Sequence, residues 1–235
     1  MEKIDLIIQG PQDNYGAEII NHYKNIPWVN RIIVSCWEKD TIKEGDGIQV
    51  VRSSCPLNNG IGNRNYHIVS SFNGLQYAET SFAAKLRSDQ NISLDSMNIL
   101  YDRMMQNPEK IGTLGFYKPF PFHPRDHSFW GRKEKLQELF DIPLDEAWHY
   151  QSNPVDSWPH QGFYSYQTRA ECYIASQYLA KKDSRVKEMV DNPQTYLWDF
   201  SEKWDAAIKL SEELLPQYFY PKPRIDFEWP KHGLS

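Results

Sequence analysis

Short apolar runs alternate with amphipathic stretches through the first half of the chain, and polar or proline-containing segments separate them. Four runs have the length and apolar composition of buried β-strands: 4–8, 30–37, 48–51 and 81–87. Three stretches repeat apolar residues at helical spacing: 16–23, 63–78 and 94–105. Strands and helices joined by short loops in this order predict an α/β layered sheet.

The second half of the chain is less regular. A further strand is predicted at 111–116, an apolar segment at 128–131, and a loop rich in aromatic residues and proline at 141–167. Helices are predicted at 132–140, 169–180, 184–191 and 199–215, before an extended tail from 217. Because no repeat or change in composition marks a boundary, we predict a single domain over residues 1–235.

The composition excludes some classes of protein and favours others. Hydrophobic residues at 40% and charged residues at 24% are typical of globular domains and exclude wholesale disorder. The net charge is −5 and the basic residues form no dense patch, so we expect no nucleic-acid partner. Aromatic residues make up 14% of the chain, which favours grooves for planar or sugar-like ligands.

The cysteines and the N-terminal residues indicate the cellular compartment of the protein. Cys36, Cys55 and Cys172 form no CxxC motif or His/Cys cluster, which indicates a reducing compartment and argues against a zinc site. The first residues are too acidic for a signal peptide. No apolar run approaches the roughly twenty residues that span a bilayer. We therefore expect a cytoplasmic protein without a transmembrane segment.

Ligands of open α/β sheets bind outside the carboxyl ends of the strands. Here those ends carry an amide, an aromatic ring, cations and a carboxylate, contributed by Gln9-Gly10-Pro11, Trp37, Arg52 and Arg87-Ser88-Asp89. These groups suit a nucleotide. However, no GxGxxG follows the first strand, and no Walker A sequence is present, so a dinucleotide-binding fold and a P-loop enzyme are not expected.

Asp89 is the strongest single candidate for a functional residue. A carboxylate directly after a buried strand can ligate Mg²⁺ or Mn²⁺, which prefer oxygen donors and commonly bridge a carboxylate to substrate phosphates. The alternatives are a helix N-cap or a structural ion pair with Arg87.

Several blocks in order resemble the WavE-type family of lipopolysaccharide and surface-polysaccharide synthesis proteins. They are DLIIQGP at 5–11, IIVSCW at 32–37, NRNYHIVSS at 63–71, KLRSD at 85–89 and, more weakly, DHSFWG at 126–131 and RAECY at 169–173. The resemblance implies a GT-A-like, Rossmann-like fold with a mixed, mostly parallel sheet flanked by helices. Residues 1–110 would form the nucleotide-binding half, and 111–235 the acceptor-binding half with the C-terminal helices.

Enzymes with this fold hold a divalent cation on the donor diphosphate with a DxD-like motif. The corresponding segment here is Arg87-Ser88-Asp89, which offers one Asp and has Arg at the first position. Metal dependence therefore stays open, and Arg87 or Arg64 is the alternative partner of the diphosphate, because a guanidinium can clamp phosphate oxygens.

Further site residues follow from the same expectation. Asp126 and Glu171 are the candidates for the base that takes the proton of an acceptor hydroxyl, although Asp126 could instead be ion-paired and Glu171 could favour its helix dipole. Gln9, Gly10, Pro11 and either Trp37 or Glu38 are expected near the base and ribose. Asn63 and Arg64, at the start of a helix, are expected near the phosphates. The aromatic stretches 116–122 and 148–166 form either an acceptor platform or a flap over the core.

The leading hypothesis is a glycosyltransferase that uses a nucleotide-sugar donor and a glycan or lipid-linked glycan acceptor, with peripheral contact to the inner membrane. A nucleotidyl- or phospho-sugar transferase on the same scaffold is the first alternative. The second is a non-catalytic subunit that binds a glycan or a nucleotide.

Overall fold

The computed structural model describes residues 1–11, 16–45, 47–125, 128–146, 169–192, 202–221 and 227–228. In this part of the chain the strands are β1 (Ile4–Gln9), β2 (Val29–Trp37), β3 (Ile48–Ser53), β4 (Phe82–Arg87), β5 (Asn91–Ile92), β6 (Ile111–Thr113), β7 (Ser128–Arg132), β8 (Phe219–Pro221) and β9 (Phe227–Glu228). The α-helices are α1 (Gly16–Lys24), α2 (Arg64–Gln76), α3 (Leu94–Gln106), α4 (Lys133–Phe140), α5 (Ala170–Ala180), α6 (Ser184–Asp191) and α7 (Glu202–Tyr218).

Seven strands form one sheet in the order β3-β2-β1-β4-β7-β6-β8, and β5 pairs separately with β9. The pairs β1–β2, β1–β4 and β2–β3 are parallel. β7 runs antiparallel to both β4 and β6, whereas β6 and β8 are parallel. The predicted α/β fold, a mixed and mostly parallel sheet flanked by helices in a single domain, is confirmed.

The sheet separates two hydrophobic cores because successive side chains of a strand point to opposite faces. Ile7 and Ile33 pack on one face with helices α2, α4 and α5. Leu6 and Ile8 pack on the other face with α1 and α3. The apolar runs of β1 and β2 are therefore buried on both sides, as expected of central parallel strands.

Asp5 interrupts the apolar run of β1 and is fully buried. Its carboxylate accepts hydrogen bonds from Asn30 Nδ2 at 2.9 Å, Glu79 N at 2.6 Å and Thr80 N at 3.0 Å. Arg31 Nε lies 3.8 Å from the same carboxylate. This charge fixes the segment that leads into β4 beside the start of β1.

Two predicted elements differ in extent from those observed. The strand expected at 111–116 ends at Thr113, and Gly115 then adopts a positive φ of 124°. The last helix continues through Pro216 to Tyr218, and the extended tail predicted from 217 therefore begins with β8 at Phe219. A three-residue strand has no recognisable period, so only its pairing partner identifies it.

The directions of the strands determine which loops share an edge. β1 to β4 all end at one edge of the sheet, which we call the carboxyl edge. Since β7 is antiparallel to β4 and to β6, β6 ends at this edge and β7 begins there. The segments after β1, β2, β3, β4 and β6 therefore all leave the sheet on the same side.

Candidate functional site

The ends of β1 and β4 are joined at the carboxyl edge. Gln9 is the register partner of Arg87, and Ser88 N donates to Gln9 O at 2.9 Å. Ser88 Oγ donates to Pro11 O at 2.7 Å. Gly10 has a φ of 122°, and a Cβ at this position would lie 2.8 Å from Ser88 Oγ. The sequence Gln-Gly-Pro thus allows the chain after β1 to turn tightly against Ser88.

Gln9 is 4% exposed, and its Oε1 has no hydrogen-bond partner in the described part of the chain. A buried amide oxygen without a partner costs about 1–3 kcal/mol. A ligand N–H at the end of β1 would satisfy this oxygen, and the contact of Gln9 with a nucleotide base stays a prediction.

Trp37, at the end of β2, is only 3% exposed. Its ring packs 5.0 Å from that of Tyr66, in the first turn of α2, and its backbone N–H donates to Asp40 Oδ2 at 2.9 Å. The ring is thus covered by Tyr66, and its contact with a nucleotide stays a prediction. The packing shows that the start of α2 lies at the carboxyl edge.

Arg87 and Asp89 form a two-point ion pair. Arg87 Nε donates to Asp89 Oδ1 at 2.9 Å, and Nη2 donates to Oδ2 at 2.6 Å. The two side chains are 30% and 38% exposed. Burial raises the pKa of Asp89, but the hydrogen bonds and charge of Arg87 outweigh it, so the pKa lies below its ordinary value. The carboxylate is therefore ionised at neutral pH.

This donor set does not fit a divalent cation held by the protein alone. Both oxygens of Asp89 accept from Arg87. The described residues also contain no group of three His, Cys, Asp or Glu that could hold a metal ion. The arrangement instead presents a guanidinium, fixed by a carboxylate, at the end of β4. Metal binding by Asp89 stays a prediction.

Asn63 and Arg64 lie where the loop after β3 enters α2. Asn63 has a φ of 60°, and its Oδ1 accepts from Asn59 Nδ2 at 2.9 Å. Arg64 is 1% exposed and its Nε lies 3.4 Å from Asp145 Oδ2. Asn65 donates to Asp145 O at 2.8 Å and accepts from Asp145 N at 2.8 Å. The described contacts of Arg64 thus tie α2 to Asp145, and a phosphate contact stays a prediction.

Arg64 also connects α2 to α5. Its guanidinium carbon lies 4.6 Å from the centre of the Tyr173 ring, in the first turn of α5. A Cβ on Gly62 would lie 4.0 Å from Ala170 N. The start of α5, including Glu171, is therefore packed beside the start of α2 and shares the carboxyl edge.

A cavity of about 330 Å³ opens between the segment after β6 and the start of α5. Its lining combines two cations, a carboxylate, an imidazole and a phenol, from Tyr117, His123, Arg125, Arg169 and Glu171. His123 Nε2 lies 3.9 Å from Glu171 Oε2. The acceptor base predicted at Glu171 thus has an open pocket in front of it.

The sequence matches the model of a known protein family. The model of the WavE lipopolysaccharide synthesis family matches residues 4–210, which is most of the chain. The chain belongs to this family. The resemblance of the sequence blocks described above is thereby confirmed. A search of curated proteins found no match for this WavE chain.

Several solved structures are similar to part of the chain. The 2-C-methyl-D-erythritol 4-phosphate cytidylyltransferase of Francisella tularensis is 16% identical, with a TM-score of 0.42 over 59% of the WavE chain and 76% of its own. HddC of Yersinia pseudotuberculosis is 12% identical, with a TM-score of 0.39 over 67% and 87%. Residues 1–349 of S. aureus TarS are 16% identical, with a TM-score of 0.38 over 62% and 51%. At these scores the similarities carry no argument about activity.

Sequence reasoning placed Glu171 in the site of the WavE protein but missed Tyr117, Arg125 and Arg169 as its neighbours. The available signal was the segment from Phe116 to Arg125, which is dense in aromatic and basic residues. Its rings divide between two environments: Phe120 is in the core, whereas Tyr117 is 41% exposed. The predicted cover for the core thus applies to Phe120, whereas an acceptor platform at Tyr117 stays a prediction.

Two predicted features lie outside the described residues: the candidate base Asp126 and the aromatic stretch 148–166. Within the described residues, no helix combines the length and apolar character needed to cross a membrane. Cys36 and Cys172 are buried free thiols, and Cys55 is an exposed one.

Proposed function

We propose that this WavE family protein is a cytoplasmic glycosyltransferase that moves a sugar from a nucleotide-sugar donor to a surface polysaccharide or lipopolysaccharide acceptor. One observation supports it above the others. The nucleotide-compatible strand ends and the pocket that contains Glu171 open on the same edge of one sheet. A transferase needs these two sites side by side, because proximity and orientation provide much of its rate enhancement.

The donor lies across the ends of β1 and β4 in this proposal. Gln9 Oε1, which is buried without a partner among the described residues, accepts a hydrogen bond from the base. Gly10 lets the chain after β1 turn tightly against Ser88, which holds the ends of β1 and β4 together beneath the donor. Arg87, held by two hydrogen bonds to Asp89, faces the diphosphate. A preorganised guanidinium stabilises the negative charge that develops on the leaving group.

The acceptor binds in the cavity with its hydroxyl at Glu171. In an inverting transfer, the acceptor oxygen forms a bond to the anomeric carbon while the bond from that carbon to the diphosphate oxygen breaks. The electron pair stays with the nucleoside diphosphate, and the hydroxyl proton passes to Glu171. His123, 3.9 Å from this carboxylate, orients it and can share the proton.

Donor binding is tested by thermal shift with UDP, GDP, CDP and their sugars. At one hundred times its Kd, a ligand of the native state adds about 2.7 kcal/mol. For a chain of this size that corresponds to a rise in Tm of about 5–10 °C. Absence of any shift, with and without Mn²⁺, contradicts the proposal and favours a subunit that binds only a glycan.

Transfer itself is tested by mass analysis of the product and by Glu171→Gln. A product that gains a sugar without phosphate supports glycosyl transfer, whereas retained phosphate identifies a phospho-sugar transferase. Loss of a general base costs about 10²–10⁴-fold in turnover. Glu171→Gln should therefore lose turnover and keep the nucleotide thermal shift. Full turnover in this variant would remove Glu171 from the proposal.

A further inference from the structure

The cavity beside Glu171 contains two cationic side chains that have no part in the removal of a hydroxyl proton. Two of its lining residues are arginines, Arg125 and Arg169, and a third is the carboxylate of Glu171. Among the described lining residues, two guanidinium groups thus accompany one carboxylate, in a chain whose net charge is −5. Guanidinium groups match carboxylate and phosphate through paired parallel hydrogen bonds.

Arg125 is held at its backbone and open at its side chain. Its N–H donates to Gly115 O at 2.9 Å, and its carbonyl accepts from Thr113 Oγ1 at 2.7 Å. Its side chain is exposed and lines the cavity. The Arg169 guanidinium lies 5.2 Å from the centre of the Phe120 ring, which holds it at the same opening.

Tyr117 gives the pocket an aromatic wall. Its ring stacks on Phe120 at 5.8 Å and 20°, and meets the edge of His123 at 5.2 Å. The ring is thus held in place on one side while the residue stays 41% exposed. Such a surface suits the apolar face of a sugar ring, and a tyrosine adds a polar edge.

We propose that this pocket binds an acidic sugar unit of the acceptor, one that bears a carboxylate or a phosphate. Arg125 and Arg169 bind the anionic group, and Tyr117 lies against the sugar ring. This inference rests on the proposed function, because it identifies the substrate class of the same site. The volume of about 330 Å³ is near the lower end of ligand pockets, so it suits one terminal unit rather than a long glycan.

The position of the pocket favours the acceptor over the donor diphosphate. The segment that contains Tyr117 and Arg125 leaves from the end of β6, and the order β4-β7-β6 puts one strand between that end and Arg87. Two strand spacings are about 10 Å. A guanidinium about 10 Å from the end of β4 is suited to an anionic group of the acceptor unit that lies away from the reacting hydroxyl.

The test measures binding of three probes by ligand-observed NMR: methyl glucuronide, glucose 6-phosphate and methyl glucoside. Charge-assisted hydrogen bonds predict that at least one acidic probe binds about ten- to hundredfold more tightly than methyl glucoside. The acidic probe that binds distinguishes a carboxylate from a phosphate ligand. Arg125→Ala should remove the preference, and Arg125→Lys should restore part of it.

Lys118→Ala is the matched control, since Lys118 is an exposed cation of the same segment that does not line the cavity. It should keep the preference for the acidic probe. Equal binding of the three probes, or no binding, overturns the inference. Loss of nucleoside diphosphate binding in Arg125→Ala also overturns it, since the pocket would then hold the donor. The nucleotide thermal shift of the unaltered protein tests the proposed function separately from these outcomes.

Discussion

Replacement of Arg87 tests whether a guanidinium, rather than a metal ion, binds the donor diphosphate. The readout is the ratio between the affinities for a nucleoside diphosphate and for its nucleoside, measured by calorimetry in EDTA. A charge-assisted hydrogen bond contributes about 1.5–3 kcal/mol. Arg87→Ala should therefore reduce this ratio about ten- to hundredfold. Arg87→Lys should give an intermediate value, because an ammonium lacks the planar fork of arginine.

The effect of these variants on stability should be small. The pair with Asp89 has good geometry, but the two side chains are 30% and 38% exposed. Solvent screening limits an exposed pair to about 0.2–1 kcal/mol. For a chain of this size that shifts Tm by at most about 4 °C. A reduced affinity ratio with nearly unchanged Tm thus reports ligand binding and not unfolding.

Arg132 provides a matched control. It is another arginine of the same sheet, 36% exposed and 3.5 Å from Glu109, but it lies at the opposite end of the strands. Arg132→Ala should leave the affinity ratio unchanged. An Arg87→Ala ratio equal to that of this control would refute the assignment of Arg87.

Asp89→Asn distinguishes two roles of Asp89 that the sequence left open, an ion pair with Arg87 and a ligand of a divalent cation. If Asp89 holds Arg87, the amide oxygen still accepts one hydrogen bond, and the affinity ratio falls less than in Arg87→Ala. The ratio of the unaltered protein is then insensitive to EDTA. If Asp89 ligates a cation, EDTA and Asp89→Asn each abolish the diphosphate preference, whereas Arg87→Lys retains it. That second pattern would refute the arginine mechanism and support the metal prediction.

Two further predictions concern buried groups. Asp5→Ala leaves three donors without their buried acceptor, and we expect a loss of about 3–5 kcal/mol in urea unfolding; a loss no larger than that of the exposed Glu79→Ala would contradict this. Iodoacetamide at pH 8 should label the exposed Cys55 faster than the buried Cys36 and Cys172 in the native protein. Burial, together with the charge of Asp40, raises the pKa of Cys36 to about 11, and burial raises the pKa of Cys172 well above its usual value. Equal labelling rates of the three thiols, followed by mass spectrometry, would contradict this packing.

The central strands could be predicted from the sequence because their environment is simple. β1, β2 and β4 are covered on both faces, so their residues form apolar runs that need no knowledge of the partner strands. β5, β8 and β9 have two or three residues each. Such strands are defined by pairing across the chain, and no local pattern identifies them.

Part of the candidate site was predictable because it follows directly from a strand. Arg87 and Asp89 were found because they end β4, and their ion pair was one of the stated alternatives. The partner of Arg64 was not found, since Asp145 lies 81 positions later in a segment without periodicity. Arg125 and Arg169 are likewise brought together by the fold of irregular segments, which composition alone does not specify.

The strand β7 explains how one sheet serves both proposed substrates. A strand antiparallel to both of its neighbours reverses the chain direction twice, so β6 ends at the same edge as β4. If β6 instead ran antiparallel to β4, the segment that contains Tyr117 and Arg125 would leave the sheet from the opposite edge. Glu171 would then have no pocket beside the donor strands. The mixed character of the sheet is therefore the feature that places the proposed acceptor pocket about two strand spacings, or about 10 Å, from the proposed donor site.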